Sequence, residues 1–99
     1  MKVKTFASEI TSESLMTEAL AFHQQGQYEK AQEIYLKVLE VDPSNADALH
    51  LMGVIAHQRR NYLVAVEFIE MAIELKPKEA LFYLSCINSL KELNKIDYK

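Results

Sequence analysis

The sequence predicts an all-α protein whose five helices form about two and a half helical hairpins, and three observations support this. First, like residues recur 34 positions apart. The pairs are Leu15 and Leu49, Tyr28 and Tyr62, Ala31 and Ala65, and Pro43 and Pro77. Second, apolar residues between these markers recur at intervals of three and four, which indicates helices with one buried face. Third, both prolines and one glycine stand where a helix should end.

The first helix follows a segment without a strong period, residues 1–11, which we expect to be an N-terminal extension. Thr11 or Ser12 can cap the helix, because a hydroxyl accepts a hydrogen bond from a free backbone N–H of the first turn. Gly26 should end it, since glycine adopts the left-handed backbone conformation that closes many helices.

The second and third helices are separated by Pro43. We expect the second helix over about 28–41, because a proline disfavours helical geometry in the residue before it. A Ser-x-x-Asp pattern that begins at Ser44 predicts a third helix over about 45–59. Gly53 in its interior costs about 1 kcal/mol relative to alanine, so we expect a neighbouring helix to approach closely there.

The fourth helix should run over about 62–75, after which Pro77 starts the pattern again. A fifth helix is expected over about 78–93, followed by a fraying tail at 94–99. This last helix is apolar nearly all round, which indicates partners on more than one side. Its apolar residues are Leu81, Phe82, Tyr83, Leu84, Cys86, Ile87, Leu90 and Leu93.

The composition argues against several classes of function. The chain has 99 residues, 11 Lys and Arg against 14 Asp and Glu, and a net charge of -3. This balance offers no basic face for nucleic acid. No apolar run resembles a membrane span or an export signal, and the single cysteine, Cys86, cannot form an internal disulfide. We therefore expect a cytoplasmic protein that binds neither nucleic acid nor membrane.

The repeat resembles the tetratricopeptide repeat (TPR) family, whose 34-residue units are helix-turn-helix hairpins with small and aromatic residues at fixed offsets and a closing proline. The resemblance covers residues 12–93, as repeats of about 12–45 and 46–79 and a half-repeat of 80–93. It implies a right-handed solenoid in which the first helix of each pair lines the concave side. The residues that fit the family pattern are Ala31, Tyr35, Pro43, Gly53, Ala65, Ala72 and Pro77.

Some positions depart from the family pattern. Leucine replaces the usual tryptophan at Leu15 and Leu49, and Arg60 stands one repeat after Gly26. The stretch 19–56 is also similar to the TPR segments that precede the catalytic region in bacterial relatives of O-linked N-acetylglucosamine transferase. That resemblance implies an alternative in which the chain is the N-terminal arm of a larger enzyme such as a glycosyltransferase.

The family resemblance also implies a ligand groove on the concave side, for which the first helix of each unit supplies the candidates. They are Glu13, Met16, Thr17, Leu20, His23, Gln24, Asp47, His50, Leu51, Val54, His57, Gln58, Leu84, Ser85, Asn88, Lys91 and Glu92. The mixture suits an extended peptide or a helix held by apolar contacts and side-chain amides. Met16, Leu20 and Val54 occupy the region where TPRs that bind acidic chaperone C-termini carry a basic clamp, so we do not expect that clamp.

The three histidines, His23, His50 and His57, could converge on a zinc ion. We favour repeated polar groove residues instead, because no supporting cysteine or tight His-x-x-x-His spacing is present. Cys86 lies on a packing face, so we interpret it as a buried thiol rather than a nucleophile. No catalytic, cofactor-binding or metal-binding residue is predicted.

The main functional prediction is a non-catalytic scaffold that binds a protein or peptide in the groove. A further alternative is self-association through the apolar last helix, which would give a homodimer. The candidate residues for that interface are Leu81, Tyr83, Leu84, Ile87, Leu90 and Leu93.

Overall fold

The computed structural model describes residues 11–97, which form five α-helices without any strand. In chain order they are α1 (Ser12–Gln24), α2 (Tyr28–Val41), α3 (Ala46–Gln58), α4 (Tyr62–Leu75) and α5 (Ala80–Asp97). Each helix packs against the next along the chain, and α3 also touches α5. The prediction of an all-α solenoid of about two and a half repeats is thereby confirmed.

Side-chain caps fix the beginnings of α1 and α3. Thr11 accepts a hydrogen bond from the Ser14 backbone N–H at 3.2 Å, and the Ser14 hydroxyl accepts one from the Thr11 N–H in return. At α3 the capping residue is Asn45, whose Oδ1 accepts from the Ala48 N–H at 3.0 Å. The pattern that begins at Ser44 therefore predicted the site of the cap to within one residue but named the wrong side chain.

The turns inside the two complete hairpins share one backbone geometry. Gly26 has φ +79° and Arg60 has φ +66°, both left-handed. After Gly26, the Gln27 N–H bonds the Phe22 carbonyl at 2.9 Å, and after Arg60 the Asn61 N–H bonds the Ala56 carbonyl at 2.8 Å. These are the bonds of the Schellman motif, which satisfies free carbonyls at a helix end. The predicted role of Gly26 is confirmed.

The last helix differs from its predicted limits at both ends. It begins at Ala80, since Pro77 and Lys78 form a turn and Glu79 precedes the helix, and it continues to Asp97. The predicted end at Leu93 was therefore wrong, because no proline or glycine follows that residue to stop the helix. Residues 1–10 and 98–99 lie outside the described part, so most of the predicted extension and the last two residues of the predicted tail are not tested.

Two hydrophobic clusters hold the hairpins together, and α3 contributes to both. The first core joins α1, α2 and α3 through Ala19, Ala31, Ile34, Tyr35, Val38, Ala48, Met52 and Ile55. The second core joins α3, α4 and α5 through Ala46, Leu49, Ala56, Ala65, Val66, Ile69, Ala72, Phe82 and Cys86. Because α3 is shared, the repeats stack as one continuous unit.

Gly53 marks the closest approach of α3 and α4. A methyl group built on its Cα would lie 2.6 Å from Ile69 Cγ1 and 3.1 Å from the Ala65 carbonyl oxygen. Real side chains do not approach so closely, so only glycine fits this backbone spacing. The predicted close approach is confirmed, and it explains why a residue with poor helix propensity stands inside α3.

Candidate functional site

The predicted groove residues differ in how much of each side chain reaches the surface. The exposed ones are Glu13, Thr17, Leu20, Gln24, Asp47, Gln58, Leu84, Asn88 and Lys91. Half-buried ones are Met16, His23, Leu51, Val54, His57, Ser85 and Glu92. One residue, His50, is buried and therefore belongs to the packing between helices rather than to an open surface.

A cleft between α3 and α5 gathers several of these residues. Its volume is about 170 Å³, and its lining consists of Val54, His57, Gln58, Ile69, Ser85, Asn88 and Ser89. Five of these seven were predicted as groove residues from the sequence; the additions are Ile69, from α4, and Ser89. Apolar and amide groups therefore meet at one place, where a ligand side chain could enter.

Ser89 is the lining residue that the sequence reasoning missed on the groove helices. It is fully buried, and its hydroxyl lies 2.8 Å from His57 Nδ1. The signal was present, since Ser89 lies seven residues after Phe82 and three after Cys86, both of which are buried. A lone hydroxyl on such a face needs a partner, because an unsatisfied buried polar group is costly.

His57 and His50 both connect α3 to α5. His57 bonds Ser89, as described above, and its ring packs edge-on against Tyr62 with centroids 5.1 Å apart. His50 Nε2 lies 2.8 Å from Ser85 Oγ, and its ring stacks on Phe82 at 4.7 Å. Burial lowers the pKa of His50, although Asp47 and Glu79 partly oppose this effect. The neutral imidazole is thus favoured, as expected of a histidine in an apolar contact.

His23 plays a similar part between the first and second repeats. Its Nδ1 lies 3.3 Å from the hydroxyl of Tyr35, and its Nε2 lies 3.0 Å from Oε1 of Gln58 on α3. Burial also raises the pKa of Tyr35 to about 12, so this hydroxyl keeps its proton.

The three histidines do not share one site, because each is hydrogen-bonded to a different partner. Within residues 11–97, no three His, Cys, Asp or Glu side chains are placed to hold a metal ion together. Each histidine thus joins one repeat to the next through its hydrogen bond. The interpretation as groove residues stays a prediction for His23 and His57.

The groove helices α1 and α3 carry acidic residues but no lysine or arginine to balance them. Neither α1 nor α3 contains a lysine or an arginine, whereas Glu13 and Asp47 are exposed at their first turns. The fifth helix contributes one predicted groove cation, Lys91. Arg59 lies in the turn after α3 and pairs with Glu29 at 3.8 Å, with both side chains exposed. The cleft therefore offers little attraction to an acidic ligand.

Cys86 lies in the second core and is 8 % exposed. Burial raises the pKa of its thiol, and the nearby carboxylate of Glu70 acts in the same direction. A protonated, covered thiol is a poor nucleophile. Its position supports the interpretation of Cys86 as a packing residue.

The predicted self-association residues fall into two groups. Leu81, Tyr83, Leu84, Ile87 and Leu90 are exposed. Leu93, in contrast, is partly buried and packs against the second core, so it has less surface to offer to a partner. Helical spacing explains the difference, because Leu93 lies seven residues after the buried Cys86.

The two hairpins stack because α3 contributes to both hydrophobic cores. This arrangement defines a helical-repeat solenoid protein. Two family models match this chain, one described as a TPR repeat over residues 19–59 and one as a tetratricopeptide repeat over residues 46–79. Together they span residues 19–79, and the second match coincides with the second repeat of the sequence. Residues 19–79 therefore carry tetratricopeptide repeats.

Solved structures share this fold. The second TPR of Spaghetti (RPAP3), bound to the HSP90 peptide SRMEEVD, has a TM-score of 0.82 at 19 % identity, over 95 % of this chain and 87 % of that one. The N-terminal domain of stress-induced protein-1 (STI-1) from C. elegans has a TM-score of 0.76 at 22 % identity, over 87 % of this chain and 73 % of that one. The resemblance to bacterial glycosyltransferase relatives is not tested by these matches and stays a prediction.

Among residues 11–97, no helix is both long enough and apolar enough to cross a bilayer.

Proposed function

We propose that this protein is a non-catalytic interaction module that binds a neutral, partly apolar segment of another protein in its concave groove. The observation that carries the proposal is the cleft between α3 and α5, because residues predicted independently from the repeat register line it together. Apolar Val54 and the amide side chains of Gln58 and Asn88 surround the same space. A peptide side chain could enter against Val54 while its backbone bonds the two amides.

The preference for a neutral ligand follows from charge. The Spaghetti domain is bound to SRMEEVD, a peptide with an acidic end. Binding several carboxylates requires cations on the groove surface, since an unpaired carboxylate loses its hydration at a cost. Here α1 and α3 supply none, and Glu13 and Asp47 would repel such a peptide. The proposed ligand is therefore a protein segment bound by the same fold, but without the acidic side chains of SRMEEVD.

A cytoplasmic location is part of the same proposal, as is the absence of catalysis. Support for the latter comes from the buried, protonated thiol of Cys86 and from the separate hydrogen bonds of the three histidines.

A random 12-residue peptide library displayed on phage provides a direct test. We expect selection on the full chain to enrich neutral, apolar peptides, whose affinities are then measured by fluorescence anisotropy. Val54→Glu should weaken them at least about tenfold, because an added charge in the cleft would have to be desolvated. The matched control is Leu63→Glu, which places the same residue at an exposed position on α4.

The synthetic peptide SRMEEVD serves as the second probe. We expect it to bind much more weakly than the selected peptides at the same ionic strength. Micromolar binding of SRMEEVD, or selected peptides that respond equally to Val54→Glu and Leu63→Glu, would refute the proposed ligand chemistry and site.

A further inference from the structure

Gln58 is held by two hydrogen bonds in series that begin in the first core. The hydroxyl of Tyr35 lies 3.3 Å from His23 Nδ1, and His23 Nε2 lies 3.0 Å from Oε1 of Gln58. Gln58 lines the cleft between α3 and α5, whereas Tyr35 and His23 do not. The direction of these two bonds decides what Gln58 can offer to a ligand.

The burial of Tyr35 fixes that direction. Its side chain is fully buried, and within residues 11–97 its hydroxyl has His23 Nδ1 as its one hydrogen-bond partner. A buried O–H without an acceptor is costly, so the hydroxyl donates to Nδ1. A neutral imidazole carries one N–H, which in His23 must then be on Nε2 and donate to Oε1 of Gln58. The opposite direction would leave the proton of a buried hydroxyl without an acceptor.

Gln58 consequently offers hydrogen-bond donors to the cleft. Its Oε1 accepts from His23, and its amide nitrogen has no partner among the described helices. An amide nitrogen carries two N–H groups and accepts no hydrogen bond. A ligand group that meets this nitrogen must therefore be an acceptor.

His57, the neighbour of Gln58 in sequence, is held in the same way. Its Nδ1 lies 2.8 Å from the hydroxyl of Ser89, which is fully buried and has no other partner within residues 11–97. The Ser89 hydroxyl therefore donates to Nδ1, and the proton of His57 is on Nε2. His57 also lines the cleft, so two consecutive cleft residues present donors.

We propose that His57 and Gln58 determine ligand specificity by donating hydrogen bonds to backbone carbonyl oxygens of an extended segment of the partner. The buried hydroxyls of Tyr35 and Ser89 are the positioning groups. An α-helix uses nearly all of its carbonyls internally, whereas an extended segment leaves them free to accept. This inference rests on the proposed function, because it concerns the same cleft, and it narrows the ligand from a neutral segment to an extended one.

Nitrogen NMR of the free, ¹⁵N-labelled full chain tests the bond directions without any ligand. Long-range correlations between ring nitrogens and ring protons distinguish an imidazole protonated on Nε2 from one protonated on Nδ1. We expect the Nε2–H form for both His23 and His57 at pH 7.5. Tyr35→Phe, which removes only the hydroxyl, should give His23 a mixture of the two forms and leave His57 unchanged. An Nδ1–H form of His23 or His57 in the parent protein would overturn the proposal.

Peptides selected from the phage library test the ligand chemistry. Gln58→Glu replaces the amide N–H groups by an acceptor of the same shape, so the dissociation constant should rise at least about tenfold as two acceptors meet. The matched control is Gln32→Glu, which makes the same change on α2 outside the cleft. It should alter the dissociation constant by less than about twofold, because a distant surface charge is screened.

A double-mutant cycle tests whether His23 acts through Gln58. His23→Leu should weaken the selected peptides about threefold in the parent protein but not in a Gln58→Ala background, whereas a general loss of structure would weaken both alike. Equal effects in the two backgrounds would overturn the positioning role of His23.

The outcomes separate this inference from the proposed function. Peptides that respond to Val54→Glu but not to Gln58→Glu would overturn the inference and leave the proposed function intact. A library that yields no binding peptide would overturn the proposed function and the ligand chemistry together, while the NMR spectra would still decide the directions of the hydrogen bonds.

Discussion

The two complete hairpins, α1–α2 and α3–α4, share one register but fill it with different side chains. Where α1 has Ala19, α3 has Gly53, and where the first turn has Gly26, the second has Arg60. Both hairpins nevertheless have a buried small residue and a left-handed turn at these positions. The repeat therefore fixes the geometric requirement at each position, and different residues meet it at different energetic cost.

The shape of the facing side chain on the second helix, and not its volume, decides how small the residue on the first helix must be. Tyr35 on α2 and Ile69 on α4 occupy the same repeat position, and both are fully buried. Ile69 is branched at Cβ, and its Cγ1 occupies the space that a methyl group on Gly53 would need. The first hairpin has Tyr35 at this position and accommodates the methyl of Ala19. The second hairpin should consequently tolerate added volume least.

The substitution Gly53→Leu should have the largest effect on stability. Leucine would add four carbon atoms where one already meets Ile69 and the Ala65 carbonyl, so overpacking should cost about 3 kcal/mol or more. For a domain of this size the melting temperature should fall by about 12 °C or more. Thermal unfolding followed by circular dichroism measures this difference.

The control for Gly53→Leu is Ala21→Leu, which introduces the same residue at an exposed position on α1. It should change the melting temperature by only a degree or two. If Gly53→Leu melted within a degree or two of the parent protein, the close approach of α3 and α4 could not be the reason for glycine at this position.

Much of this fold could be predicted from the sequence, because the repeat supplies its own internal comparison. The five helices, the turn at Gly26 and the close approach at Gly53 all follow from residues that recur or depart after 34 positions. The end of α5 could not be predicted in this way. Its boundary depends on hydrogen bonds beyond Leu93, where no stop signal stands in the sequence.

The candidate site was less accessible to sequence reasoning. Five of the seven residues that line the cleft belong to the predicted set, whereas Ile69 and Ser89 do not. It could not distinguish His50, which is buried against Phe82, from its exposed neighbours on the same helix. That distinction arises from packing between repeats, since the partners of His50 lie 32 to 35 residues away in sequence.

Exchanging the turn residues should change the stability by less than Gly53→Leu does, and with opposite signs in the two hairpins. Gly26→Arg should destabilise the protein by about 1 kcal/mol, because a residue with a Cβ is strained at a left-handed φ. Arg60→Gly should relieve that strain and stabilise by about 0.5 kcal/mol, since glycine also loses more freedom on folding. Urea unfolding of both variants measures the two changes.

The double exchange tests whether the turns are independent. Gly26→Arg with Arg60→Gly should change stability by about the sum of the single effects, because the two turns lie in different hairpins. If Arg60→Gly destabilised the protein, the side chain of Arg60 would have to contribute contacts that outweigh its backbone strain, contrary to its exposed position.

The smallest effect should be an acid sensitivity that only the second hairpin contributes, since Met16 stands in α1 where His50 stands in α3. Burial lowers the pKa of His50 below its usual 6.5 in the folded protein. As the pH falls through 6.5, the unfolded chain binds a proton that the folded chain resists, so this contribution to stability is complete above pH 6.5 and declines below it.

His50→Met removes the titrating group but keeps His23 and His57. Between pH 7.5 and pH 5.0, the melting temperature should therefore fall less for His50→Met than for the parent protein. Equal falls in the two proteins would mean that His50 titrates alike in both states, and hence that its contact with Phe82 does not exclude the charged form.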